Sequence, residues 1–225
     1  MSTLLLVPKL LYRPGETLAL VALRRPPWRL PLSIAASGIA AISAGTLSYL
    51  IEAVQTTSQG IVRADPSTNL FASSSWITWG TNVLIMTTML PVIWLLQGLV
   101  LTLVSYLGAT PLKIRETMGL IPWLWLPLAL RMVAHGLYLL FADPFVDNGL
   151  SFLVPRGPGL APLSSVSWQF LWQWDLFFLW HLVLVGIVLY RFSRAEINRV
   201  IDGTLLYGLM TALGMALLAT WSQPG

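Results

Sequence analysis

The chain contains no cysteine, only two histidines, and charged residues at just 10% of its 225 positions. Each shortage excludes something. Without cysteine there is no disulfide, thiolate zinc site, iron–sulfur cluster or thiol nucleophile. Two histidines leave little from which to build a metal centre. Soluble domains carry about 25% charged residues. A chain with so few, with 56% hydrophobic residues and a mean hydropathy of +0.74, is not an ordinary soluble fold. Catalytic signatures are missing as well: there is no His-Glu-x-x-His, no Gly-x-Ser-x-Gly and no phosphate-binding glycine loop. The opening residues from Met1 to Pro8 have no basic group ahead of their apolar run, so they do not read as a cleavable signal. The composition points to an all-α integral membrane protein that is not an enzyme and carries no cofactor.

What is present is long apolar runs. A bilayer crossing takes about 20 mostly apolar residues, and five windows qualify: 32–51, 79–107, 120–141, 170–192 and 203–221. The second is long enough to tilt, or to bend at Pro91. No window alternates at period two, which opposes a β-barrel. The layout is an interfacial segment over 1–31, one five-helix membrane domain over 32–221 and a short outer tail over 222–225.

Basic residues give the direction. Lys9, Arg13, Arg24, Arg25, Arg29, Lys113, Arg115, Arg191, Arg194 and Arg199 fall on one side of the five windows, against Arg63 and Arg156 on the other. Positive residues stay in the cytoplasm, so the N-terminus is predicted inside and the C-terminus outside, in a cell membrane. Net charge +4 reports this orientation rather than nucleic-acid binding. Pro14 starts a stretch ending in Arg24 and Arg25, and Thr110-Pro111 starts another with Lys113, Arg115 and Glu116. Both read as short interfacial helices, with apolar residues on the membrane and Thr110 as a cap. Trp76, Trp79, Trp168, Trp172, Trp174 and Trp221 gather at the outer boundary as an aromatic belt, or as a carbohydrate or cofactor platform.

Two windows carry small-residue stripes. Ala36, Ala40, Ala44 and Ser48 recur every fourth residue, as do Thr204, Gly208, Ala212, Ala216 and Thr220. Such stripes let helix backbones approach closely. They mark packing within the chain or a homo-oligomer seam.

Four ionisable residues lie inside the windows: Arg131, His135, Asp175 and His181. At 1.5 Å per residue, His135 and Asp175 fall roughly 9 Å from the outer boundary, while Arg131 and His181 fall near mid-membrane. Arg131 and His135, four apart, share a helix face. Intramembrane charges pair with one another, so Asp175 is expected against Arg131, His135 or both. The depth difference between the histidines opposes a bis-histidine haem. A proton relay through Asp175, His135 and Arg131, and a single-histidine pigment site, remain alternatives to a structural clasp.

Several segments resemble the prokaryotic branch of the Yip (Ypt/Rab-interacting protein) family. They are Arg13-Pro14-Gly15-Glu16-Thr17, the run YLGATPLKIRETMGLIPW after the second window, the series Asp175, Phe177, Trp180, Leu184 and Gly186, and the run FSRAEINRVI. Ala109 stands where that family usually has Gly, and Asp175 where it has an Asn-like residue. The resemblance implies five spans, a cytoplasmic N-terminus and a trafficking, membrane-shaping or assembly role. The leading expectation is a non-enzymatic accessory, assembly or scaffold subunit whose partners are lipids and other integral membrane subunits. A transporter or proton-conducting subunit using the polar cluster competes with it, as does a pigment-bearing subunit of an electron-transfer complex.

Overall fold

A computed structural model describes residues 5–24, 29–59, 68–139, 149–153 and 166–221; within these, the side chains of 24, 45–59, 68–79, 82, 139, 152 and 219–221 fall outside the description. The described residues are all-helical, without strands. The helices are α1 (Leu6–Tyr12), α2 (Pro14–Arg24), α3 (Arg29–Gln59), α4 (Thr68–Ser105), α5 (Ile114–Leu124), α6 (Leu126–Leu139), α7 (Val166–Trp172), α8 (Leu176–Phe192) and α9 (Ile197–Trp221). Among the described residues, Val83–Ser105, Ile114–Tyr138 and Ile197–Leu218 are long and apolar enough to cross a membrane. The pair α7 and α8 makes a fourth crossing if its two halves count as one. The first window lies in α3, but its side chains beyond Ala44 are outside the description, as are residues 60–67, 140–148, 154–165 and 222–225.

Two of these helices have opposite environments. Only 22% of the most apolar stretch of α4 is buried, against 67% for Ile114–Tyr138. The α5–α6 unit is therefore the central element, and α4 turns most of its surface outward. Pro91 does not interrupt α4, which runs through it. The α5–α6 junction falls at Trp125, two residues before Pro127, whose ring removes the backbone donor that would bond Trp123. Trp123, Leu124, Phe178, Leu184, Leu189 and Tyr207 are fully or almost fully buried in the common core.

The apolar unit of the third window starts earlier than the sequence indicates. Lys113, Arg115 and Glu116 do not form a separate surface helix; they lead directly into the spanning unit. The helix start is held by Glu116, whose Oε2 accepts from the backbone N–H of Lys113 at 3.0 Å. Thr110 is not the cap. Its N–H donates to Ser193 O (3.0 Å) and its hydroxyl to Phe192 O (3.1 Å), tying this connection to the end of α8. The helix of the last apolar window also begins early, at Ile197, so Arg199 sits in its first turn and donates to Leu107 O at 3.2 Å.

α2 packs on protein through part of its apolar face. Leu18 and Val21 are 0% and 1% exposed, buried where α2 packs on α5 and α8, while Leu23 on the opposite side is 81% exposed. Burying those two side chains against protein removes the same apolar area that membrane contact would.

The most extensive helix pair is α3 with α6, which run parallel: Gly38 faces Met132, and Gly136 faces Ala41. A Cβ on Gly38 would stand 2.6 Å from Met132 Cβ, and one on Gly136 would stand 2.7 Å from Ile42 N. The buried line of α3 is Ala35, Gly38 and Ile39. Ala36, Ala40 and Ala44 are half-buried beside it, one position from the row of closest approach. Ser48 and Thr220 lie outside the described side chains. In α9 the stripe itself is buried, with Ala212 and Ala216 at 0% exposure, and α9 packs on α8, α7 and α4. Leu182 methyls lie 3.1 Å from where a Gly208 Cβ would be.

A candidate polar clasp at a broken helix

The fourth window is not one straight helix. The chain leaves α7 at Trp172, passes through Gln173 to Asp175 and re-enters a helix at Leu176, with a bend of 70°. Such a break strands carbonyls at the end of α7 and N–H groups at the start of α8, which lipid cannot satisfy. Asp175 meets the second need: its Oδ1 accepts from Phe178 N–H at 2.8 Å as the α8 N-cap. A carboxylate there also faces the positive end of the helix. The α7 carbonyls meet a separate segment. Leu150 N–H donates to Leu171 O at 3.0 Å, and Gly149, at φ 58°, lies against the carbonyls of Leu171, Trp172 and Trp174. A Cβ at Gly149 would stand 2.7–2.9 Å from those oxygens, so only glycine suits both the backbone and the space.

Arg131 on α6 closes the break. Its Nε lies 2.9 Å from Asp175 Oδ2, with the two side chains only 8% and 11% exposed. Nη1 donates to Gln173 Oε1 (3.2 Å) and Nη2 to Trp172 O (3.4 Å). The guanidinium carbon stands 4.3 Å from the centre of the Trp172 ring, a cation–π contact. One side chain therefore contacts three of the four residues from Trp172 to Asp175. Both carboxylate oxygens of Asp175 are engaged.

The other two ionisable residues lie apart from this pair. His135 is half-buried and packs edge-to-face on Trp172, ring centres 5.7 Å apart; it makes no hydrogen bond to Asp175 or Arg131. His181 is fully buried one and a half turns into α8, with Nδ1 2.8 Å from Leu124 O and Nε2 3.2 Å from the Tyr207 hydroxyl. A carbonyl can only accept, so Nδ1 carries the proton, and in the neutral ring Nε2 accepts from Tyr207. Phe178 stacks on the same imidazole at 6.1 Å. His181 is thus a bolt between α5, α8 and α9, separate from the Arg131–Asp175 clasp.

Sequence reasoning missed several of the partners. Tyr207 and the Leu124 carbonyl hold His181, and Gln97 Oε1 accepts from Trp125 Nε1 at 2.5 Å between α4 and the α5–α6 junction. Thr102 and Thr117 hydroxyls meet at 2.9 Å between α4 and α5. Gln97 was visible as a polar residue in an apolar run, whereas a backbone carbonyl leaves no trace in sequence. Of the boundary tryptophans, Trp168 is buried, and Trp172 and Trp174 are half-buried in ring contacts with Arg131, His135 and Phe178. The Trp76, Trp79 and Trp221 side chains fall outside the description.

Among the described residues, no group of three or more His, Asp or Glu side chains is placed to hold a metal ion. No protein-family model, curated protein or solved structure matches the chain, so the resemblance to the Yip family has no comparison bearing on it.

Proposed function

We propose that the chain is a non-enzymatic accessory, assembly or scaffold subunit of a prokaryotic cell membrane. In this reading it crosses five times from a cytoplasmic N-terminus and is a distant member of the Yip family. The observation that carries the proposal is how its interior polar groups are used. Arg131 and Asp175 engage each other, Gln173, Trp172 and a helix terminus, and His181 engages Leu124 and Tyr207. Their bonding holds helices together, as a scaffold needs and a proton path, with groups that must exchange partners, does not. α4 meanwhile presents Leu84, Val92, Leu95, Leu99 and Leu103 outward, a face for lipid or another membrane subunit.

Mild-detergent extraction from native membranes, with quantitative mass spectrometry and an absorption spectrum, tests this. The expected result is an integral membrane partner in fixed ratio with no Soret or chlorin band. A sample without a partner, whose vesicles conduct protons and stop doing so in Asp175→Asn, refutes the reading and makes the chain a proton conductor.

A further inference from the structure

Two arginines from distant parts of the chain line one pocket at the basic end of the bundle. Arg13, just before α2, and Arg191, in the last turn of α8, line an open pocket of about 310 Å³ together with Pro14, Gly15, Glu16 and Ile187. Arg191 lies directly over Gly15. A Cβ at that glycine would stand 2.7 Å from the Arg191 guanidinium carbon and 2.8 Å from its Nε.

This arrangement has an electrostatic conflict. The start of a helix is its positive end and favours anions, yet the start of α2 carries one cation beside it and a second on top of it. The sole acidic side chain in the pocket, Glu16, is exposed and lies 3.5 Å from Arg13. Two arginines against one glutamate leave the pocket at +1 before the helix end is counted. Thr17 N–H is already bonded to Arg13 O at 3.1 Å, and Pro14 has no N–H, so Gly15 and Glu16 supply the first-turn donors. A phosphate oxygen set resolves the conflict: guanidiniums bind it in bidentate fashion, and first-turn N–H groups face it. Gly15 leaves room for the Arg191 guanidinium to lie over the helix start, and Ile187 adds an apolar side chain to the lining.

We propose that this pocket binds a phosphate group, with Arg13 and Arg191 as its ligands. The same chemistry is presented by the headgroup of an anionic phospholipid and by free phosphate. The inference does not depend on the assembly role. Native mass spectrometry of the full chain in detergent tests it, titrated with phosphatidylglycerol, with phosphatidylcholine of the same acyl chains, and with inorganic phosphate. Wild type is compared with Arg191→Gln, with Gly15→Ala, whose methyl displaces the guanidinium without removing charge, and with Arg194→Gln, an exposed cation outside the pocket.

Arg191→Gln and Gly15→Ala should each weaken anion binding about fivefold, the effect of one cation near a headgroup, while Arg194→Gln does not. Preference for phosphatidylglycerol over phosphatidylcholine, lost in both variants, identifies a lipid headgroup. Binding of inorganic phosphate with the same variant pattern and no lipid preference identifies a soluble phosphate. Equal binding by wild type and both pocket variants, or equal loss in Arg194→Gln, overturns the proposal. Thermal melting of each variant without ligand separates a lost site from a lost fold.

Discussion

Replacing Arg131 by Leu removes the group that spans the α7–α8 break, and the structure sets out what is lost. Asp175 Oδ2 loses its counter-ion at 2.9 Å, Gln173 Oε1 and Trp172 O lose donors, and the Trp172 ring loses its cation. With the pair this buried, leaving one charge alone costs about 3–5 kcal/mol. Asp175→Asn is milder because asparagine still caps α8, and Arg131 keeps two acceptors and the Trp172 ring; the loss is that of a charged hydrogen bond, about 1.5–3 kcal/mol. In the double variant the charge left stranded by the first change is gone while the cap remains. Asp175→Asn should therefore rescue part of the Arg131→Leu defect, giving a coupling of about 1–3 kcal/mol. The assay is a double-mutant cycle on reversible unfolding in one detergent, each variant checked for monodispersity. Effects that add to within about 0.5 kcal/mol would refute the clasp as an energetic unit.

Gly136→Ala forces a methyl into the α3 backbone and should destabilise by about 1–3 kcal/mol, whereas Gly119→Ala, with open space around it, should be neutral or stabilise by up to about 1 kcal/mol; equal melting of the two would show that α3 and α6 do not approach this closely. Tyr207→Phe deprives His181 Nε2 of its donor and should cost about 1–3 kcal/mol, read by the same unfolding assay; no loss would mean that the bond is not formed. For orientation, a cysteine at Ser164 should react with an impermeant maleimide on sealed cells and one at Arg194 should not. Arg194 suits this better than its neighbour Ser193, which is fully buried and bonded to Leu189 O. Labelling at 194 in sealed cells would reverse the orientation.

The Arg131–Asp175 approach was legible because two opposite charges in apolar windows have few other ways to be tolerated. The helix break between α7 and α8 was not. Window hydropathy averages over Gln173, Trp174 and Asp175, and a carboxylate read as a charge within a span hides its other property, that of an N-cap three residues before Phe178. His135 shares a helix face with Arg131, but Trp172 occupies the space in front of it. On α3, Ala35, Ala36, Gly38, Ala40 and Ala41 are all small. Period four alone cannot choose between adjacent rows, and that choice is made by where Met132 and Gly136 fall on α6.

The Thr110 bonds to Phe192 and Ser193, with Arg199 reaching Leu107 O, tie the α4–α5 connection to the α8–α9 connection at both ends of a short stretch. Two hairpins distant in sequence thus share one latch. Pulling α8 along its axis would load the loop that starts α5, so a force or partner acting at one connection is felt by the central helix through the other. The Thr110 amide, although it lies outside any helix, should exchange with solvent deuterium at the rate of its neighbours in α8. Should a protease cut the chain at Ala109, the halves would remain fastened by Arg199 on Leu107 O and by α4 lying on α9.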